Sequence, residues 1–447
     1  MPWRETTLTD RLINGFSRNK GMDPERSSSS LLDIPLFSQL KKNVLLKQTL
    51  RFGGLSLLGA ILSIFFYVFA SRKLGPEGYG ELGLLMALIS TLLIVLSSIY
   101  LIINRFIRQY ARRGQTENIK FLIKMSFFDS FMLGMAAFFI CILLSEVVAE
   151  FFRLAHPSTV IFFGALVWVS FLTPVLDGIF KGMESFNYAG FFKFSESGFR
   201  LILAAVFLAF VADVSAALCA LAIGTLLSIL ACLKPLYRFK NTNAYKIYLS
   251  EFYGYSLPII AGSLAIALLL NLDDILVKHY FLPAEAGFFS AASIIAKLPF
   301  LLSVVIGGVM FTNVSERHSN GKPTALFLKK SLLLLGAICA LIFASVLLFG
   351  PAISAALFGP AYRVGSFLVG YSLAFMFFSF VNIFVLYSFA RKEYGVVAIL
   401  IVALVIQFAL LLLFHQTLSQ VAVILGIVMG CLLVATLAYE RKEFFYF

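Results

Sequence analysis

Uninterrupted apolar stretches of about 20 residues recur along the whole chain, and at 1.5 Å of helical rise per residue each can cross roughly 30 Å of hydrocarbon. Apolar residues make up 60% of the 447-residue chain and charged residues only 13%, with a mean hydropathy of +0.93. A soluble domain carries about a quarter charged residues. The balance excludes a soluble enzyme, a nucleic-acid-binding domain and a secreted disulfide scaffold, and the fold expected is an all-α polytopic membrane protein. The net charge of +13 fits topology-setting loops rather than a phosphate-binding surface. The five cysteines fall inside apolar stretches without metal-ligand spacing, and the four histidines are scattered at loops and span ends, so no metal site and no cofactor are expected.

Twelve spans are predicted, at 50–71, 80–103, 121–145, 159–180, 189–211, 215–236, 252–276, 287–312, 326–349, 361–389, 395–414 and 418–439. Residues 1–49 read as a polar cytoplasmic tail, in which Leu36, Phe37, Leu40 and Val44 share a face that suits either an interfacial helix or an ordinary solvated tail. With the N-terminus inside, inner segments and adjoining span ends hold 28 of the 36 Lys and Arg, and the outer loops hold five (Arg72, Lys73, Arg153, Lys278, Arg363). That bias puts both termini, and residues 440–447, in the cytoplasm.

A weak internal duplication runs through the chain. Pro76 and Gly80 recur as Pro283 and Gly287, and Gly114 recurs as Gly321, each at an offset of 207 residues. Further on, Asp177 and the turn after it approximately match Asn382 and the turn near Gly395. Six spans per repeat is an even number, so the repeats enter the membrane in the same direction and are expected to be related by an axis along its normal. The organisation expected is two pseudo-symmetric six-helix lobes, 50–236 and 252–439, joined by a cytoplasmic linker at 237–251 and flanking a central cleft.

Three segments carry a family resemblance: ASRKLGPEGYGELGLL around Arg72–Gly80, FKGMESFNYAG at 180–190, and the stretch at 257–299 with its Pro, its Asp and its Gly-aromatic-aromatic-Ser-Ala run. Over roughly residues 40–440 the chain resembles polysaccharide-export proteins of the multidrug/oligosaccharidyl-lipid/polysaccharide (MOP) superfamily. Some members have fourteen spans against the twelve here. The resemblance implies a flippase of the cell membrane that carries polyprenyl-diphosphate-linked oligosaccharide between leaflets. It also implies membrane lipids as surroundings, and a polysaccharide polymerase or glycosyltransferases as candidate partners.

A diphosphate headgroup needs a cationic, hydrated passage. Lys193, Glu196 and Arg200 lie at i, i+3 and i+7 on one stripe of the fifth span. Either Lys193 and Arg200 bind phosphate with Glu196 between them, or Lys193 and Glu196 sit in the interface while Arg200 snorkels. Lys297 in the eighth span is the third cationic candidate for the cleft. Asp129, Asp177 and the Asp273–Asp274 pair are candidates for binding a coupling proton or sodium ion. Asp273 is preferred because it matches the family's motif ten residues before Pro283, with a structural cap or an ion pair to Lys278 as the competing reading. Asn271, Asn382 and Gln407 can bind sugar hydroxyls, although interhelical hydrogen bonding is the default. Rival functions are a multidrug exporter of the same superfamily and a membrane-embedded polymerase or glycosyltransferase. The short outer loops and the lack of a spaced catalytic pair argue against an enzyme.

Overall fold

The computed structural model describes residues 35–233 and 257–440, apart from 363 and 366. The predicted linker, most of both tails and Arg363 lie outside the described residues. Those described are almost entirely helical, as the unbroken apolar stretches demand. In lipid a lone segment satisfies all its backbone groups internally only as a helix.

The first element, α1 (Pro35–Arg112), is broken at Gly75, where φ is 68° and ψ is 178°, and Pro76 follows. Such a φ is strained for any residue with a Cβ, and Pro76 starts the next arm without needing an N–H partner. The chain reverses there: Phe52 and Ile107 both lie beside the same stretch around Lys181–Phe186. The segment expected as a separate interfacial helix is continuous with the first arm.

Next come α2 (Thr116–Leu143), the short α3 (Ser145–Phe151), α4 (Ser158–Ser170), α5 (Leu172–Gly182), α6 (Phe186–Phe210) and α7 (Val214–Cys232). The second half contains α8 (Leu257–Tyr280), α9 (Pro283–Ala296), α10 (Leu298–Ser319), α11 (Ala325–Phe358), α12 (Leu368–Ala390), α13 (Val396–Leu413) and α14 (Leu418–Tyr439).

Ten helical segments are long and apolar enough to span a membrane. One of them, Arg51–Ser97, has 47 residues, about 70 Å of helix, and the break at Gly75 divides it into two crossings. Helix α6 is not among the ten because Lys193, Glu196 and Arg200 fall together in it, and including it brings the crossings to twelve. Two crossings are themselves broken, at Phe171 between α4 and α5 and at Lys297 between α9 and α10. Pro174 and Pro299 stand in the turns that follow. Span edges differ from expectation where composition misleads. Helix α8 runs on to Tyr280, so Lys278 is a buried helical residue rather than a loop residue, at 2% exposure. Helix α11 carries Pro351 within it and continues to Phe358.

The duplication appears in the packing. The first arm of α1 packs on α6, α6 on α7 and α4 on α7, while α8 packs on α13, α13 on α14 and α12 on α14. The halves meet where the second arm of α1 crosses α8 and α9. A Cβ on Gly80 would lie 2.8 Å from the Gly287 nitrogen and 3.0 Å from the Pro283 oxygen, and one on Gly287 would lie 1.8 Å from the Pro76 oxygen. Repeat-related residues thus touch reciprocally, as they do at a two-fold axis. Gly83 against Ser290 is a third such pair. Only glycine lets the two helices approach this closely.

Candidate functional site

The apolar stretches place helices, and the charged residues interrupting them mark where water is admitted. On α6, Lys193, Glu196, Ser197 and Arg200 share a face with the first arm of α1. Here small residues allow close contact: a Cβ on Gly59 would lie 3.0 Å from the Lys193 carbonyl oxygen, and Ser63 and Ser197 hydroxyls are 3.0 Å apart. Between them opens a cavity of about 350 Å³, also lined by Phe52, Ser56 and Lys181 of α5. Phe52 and Lys181 line it nearest the start of the first arm of α1, and Ser63 and Arg200 line it further along. Ser63 is 12 residues beyond Arg51, about 18 Å along the helix.

Glu196 is 8% exposed and sits between two cations, 2.7 Å from the Arg200 guanidinium and 3.7 Å from the Lys193 ammonium. Arg200 also donates through Nε to the Thr225 hydroxyl at 2.9 Å. It is therefore committed within the protein, whereas Lys193 retains 41% exposure and a long contact. Lys181 pairs with Asp177 at 2.8 Å and stands over the Phe52 ring at 5.5 Å. The cavity region thus holds three cations and two carboxylates, a net charge of about +1. Glu196 and Asp177 compensate Arg200 and Lys181 at close range, and Lys193 is the surplus cation.

Lys297 does not line this cavity, so the three expected cations do not converge. It lies at the break between α9 and α10, 2.5 Å from Asp274 and 3.6 Å from Asp273, with the Phe375 ring 5.1 Å away. The Tyr371 hydroxyl donates to Asp273, and Ser293 donates to Asp274 at 3.0 Å. A buried ammonium is stabilised by buried carboxylates, and here two are supplied. The void beside Asp273 is only about 10 Å³, about one water. Asp273 does not pair with Lys278, whose ammonium instead faces Glu81 at 4.0 Å.

The other candidates are dispersed. Asp177 serves Lys181. Asp129 lies on an exposed face of α2 beside Phe128. Asn382 donates to Ser303 at 2.9 Å and Asn271 to Thr91 at 3.1 Å, ties between helices. Lys181 escaped the sequence reading because it stands among topology-setting cations. Its one signal was the i, i+4 spacing from Asp177. Among the described residues, no three His, Cys, Asp or Glu side chains cluster in a way that could hold a metal ion.

A profile of polysaccharide biosynthesis proteins matches residues 45–316. No curated protein matches the chain. Among solved structures, an inward-facing conformation of a multidrug resistance MATE family transporter of the MOP superfamily is 19% identical, with a TM-score of 0.69 over 87% of this chain and 94% of that one. An outward-facing conformation of such a transporter gives a TM-score of 0.63 at 17% identity, over 89% and 95%. A MOP superfamily transporter from Pyrococcus furiosus gives the same TM-score and identity over the same shares. The fold is that of MOP superfamily transporters.

Proposed function

The chain belongs to the family of polysaccharide biosynthesis proteins, and from that membership we propose that it is a flippase for polyprenyl-diphosphate-linked oligosaccharide, working by alternating access in the cell membrane. The observation that carries this reading is the cavity with Lys181, Lys193 and Arg200, whose excess positive charge suits a diphosphate and repels the cations a drug exporter would carry. Lys181, which lines the cavity, lies beside Arg108 at the basic end of the molecule, and by the charge rule we take that end as cytoplasmic. Loading would thus take place from the cytoplasm.

In this mechanism Lys193 and Lys181 hold the phosphates, and Glu196 and Arg200 keep the α6 face in register. The polyprenyl tail stays in lipid. The Asp273–Asp274–Lys297 cluster, closed within one half, would respond to a proton or sodium ion. The decisive experiment reconstitutes the protein in liposomes with a fluorescent polyprenyl-diphosphate oligosaccharide in the outer leaflet and a membrane-impermeant quencher outside. Protein-dependent protection of the label, lost on replacing Lys181 and Lys193 together by Gln, supports the reading. Protection equal to that in protein-free vesicles, from protein that is folded and inserted, overturns it.

A further inference from the structure

The end of the molecule around Gly75 is closed by contacts between the two halves. Arg72 donates to the carbonyls of Ala356 and Leu357, and the Tyr362 hydroxyl donates to the Ser71 carbonyl at 2.8 Å. His279 donates through Nδ1 to the Phe151 carbonyl at 2.9 Å. These contacts lie at the helix ends. Further in is an ion pair that joins the halves, Glu81 on the second arm of α1 and Lys278 on α8, 4.0 Å apart. Both are buried, at 7% and 2% exposure. Glu81 also accepts the Ala155 N–H at 2.9 Å, but among the described residues the Lys278 ammonium has no hydrogen-bond partner. The pair stands one residue from Gly80, at the crossing where Gly80 and Gly287 touch.

We propose that Glu81 and Lys278 form a charge-matched lock of the gate at the Gly75 end, so that this end closes only when both charges are present or both are absent. The inference rests on the alternating-access reading. Lys278 is buried and Glu81 is its leading counter-charge, with Glu77 adding a weaker attraction and Arg153 a weaker repulsion. Neutralising Glu81 alone strands a buried ammonium in the closed state, while the open state hydrates it. The penalty thus falls on one conformation, which is what moves an equilibrium. Neutralising Lys278 alone strands Glu81 less completely, because the Ala155 N–H remains. Removing both charges leaves two neutral side chains and no stranded ion. Ion pairs elsewhere, such as Glu196–Arg200 and Asp274–Lys297, each lie within one half. They therefore exert no comparable force between the halves.

The test places spin labels at Lys73 and Leu282, which are exposed on opposite halves, in a variant without the native cysteines, held in lipid nanodiscs. Pulsed electron resonance reads the populations of short and long separations. Glu81→Gln should raise the open-to-closed ratio by about a hundred-fold, and Lys278→Gln should raise it by less. The double variant Glu81→Gln/Lys278→Gln should return close to the parent, as should the exchange Glu81→Lys/Lys278→Glu. Single variants that leave the separations unchanged, or a double variant as open as the two effects multiplied, overturn the lock. Gly287→Val is a wedge against Pro76 that separates the two readings. If it opens the end while Glu81→Gln does not, the lock is wrong and alternating access stands. If the wedge, the single variants and added substrate all leave a folded, transporting protein closed, alternating access fails as well.

Discussion

Replacing Lys193 by Gln isolates the substrate contact from the scaffold around it. Lys193 is the least committed cation of the cavity, with 41% exposure and a 3.7 Å approach to Glu196. A charge-assisted hydrogen bond to phosphate contributes about 1.5–3 kcal/mol. Lys193 is part-exposed and Glu196 attracts it, so the lower end applies, and about 1.5 kcal/mol corresponds to a roughly ten-fold weaker engagement. Folding should hardly change, since Glu196 keeps its 2.7 Å partner Arg200. Replacing Arg200 by Gln should do the reverse. It withdraws the close counter-charge of a carboxylate that is 8% exposed and leaves the Thr225 hydroxyl without its donor. Breaking a fully buried pair costs about 3–5 kcal/mol. With Arg200 at 25% exposure, about 2 kcal/mol of lost stability is expected after allowing for solvent screening. The assay is paired: binding of the lipid-linked oligosaccharide by fluorescence quenching, and thermal unfolding of the same detergent-purified sample. Lys193→Gln with undiminished binding, together with Arg200→Gln that loses binding at unchanged stability, would refute this division of roles.

Lys297→Gln should lower the unfolding midpoint strongly, by the equivalent of about 3 kcal/mol, because Asp273 and Asp274 lose their shared cation. Binding of the lipid-linked substrate by the folded fraction should stay intact, and a specific loss of binding at normal stability would return Lys297 to the substrate site. Asn382→Ala should cost only about 0.6 kcal/mol, the typical worth of a hydrogen bond between membrane helices, with transport unaffected. Transport lost at normal stability would point instead to a sugar contact. Single cysteines at 115 and 320 should resist an impermeant thiol reagent applied to intact cells, while those at 78 and 285 react; the opposite pattern reverses the orientation.

Helix number and all-α character were legible because hydropathy is summed over about 20 residues and tolerates local exceptions. The ends were less so. The apolar count stops before Lys278 and before Pro351, yet both helices continue, because a partner across the interface compensates a charged residue and a proline near a helix end is accommodated. The α6 stripe was legible as a face, since i, i+3, i+7 spacing is purely helical geometry, and that face does line a cavity. What could not be read was which charge meets which. The spacing from Asp273 to Lys278 suggests a local pair, but Asp273 turns towards Lys297, 24 positions away in sequence and held there by the break between α9 and α10. Lys181 was hidden for a related reason. A cation at a span end reads as a topology determinant in the sequence, and only the packing of Phe52 against it brings it to the cavity wall.

The duplicated halves share a fold but not their chemistry, and the offset of 207 makes the comparison residue by residue. Leu55 lies against Gly190, and their counterparts Gly262 and Val397 touch in the same way, so α6 and α13 correspond in register. At that register Lys193, Glu196 and Arg200 become Leu400, Ala403 and Gln407. All three of those are buried, and the α13 face is closed where the α6 face opens on water. The converse holds for the other cluster. Asp273, Asp274 and Lys297 map onto Phe66, Tyr67 and Ser90, so the neutralised charges of α8 and α9 have uncharged counterparts in the first half. Symmetric packing needs only matching small and large residues, such as Gly80 with Gly287, and places no demand on which half carries charge. Buried charge is costly unless compensated, so each cluster persists only where its own half supplies partners. One half therefore carries a cavity with a surplus cation and the other a closed ionic core.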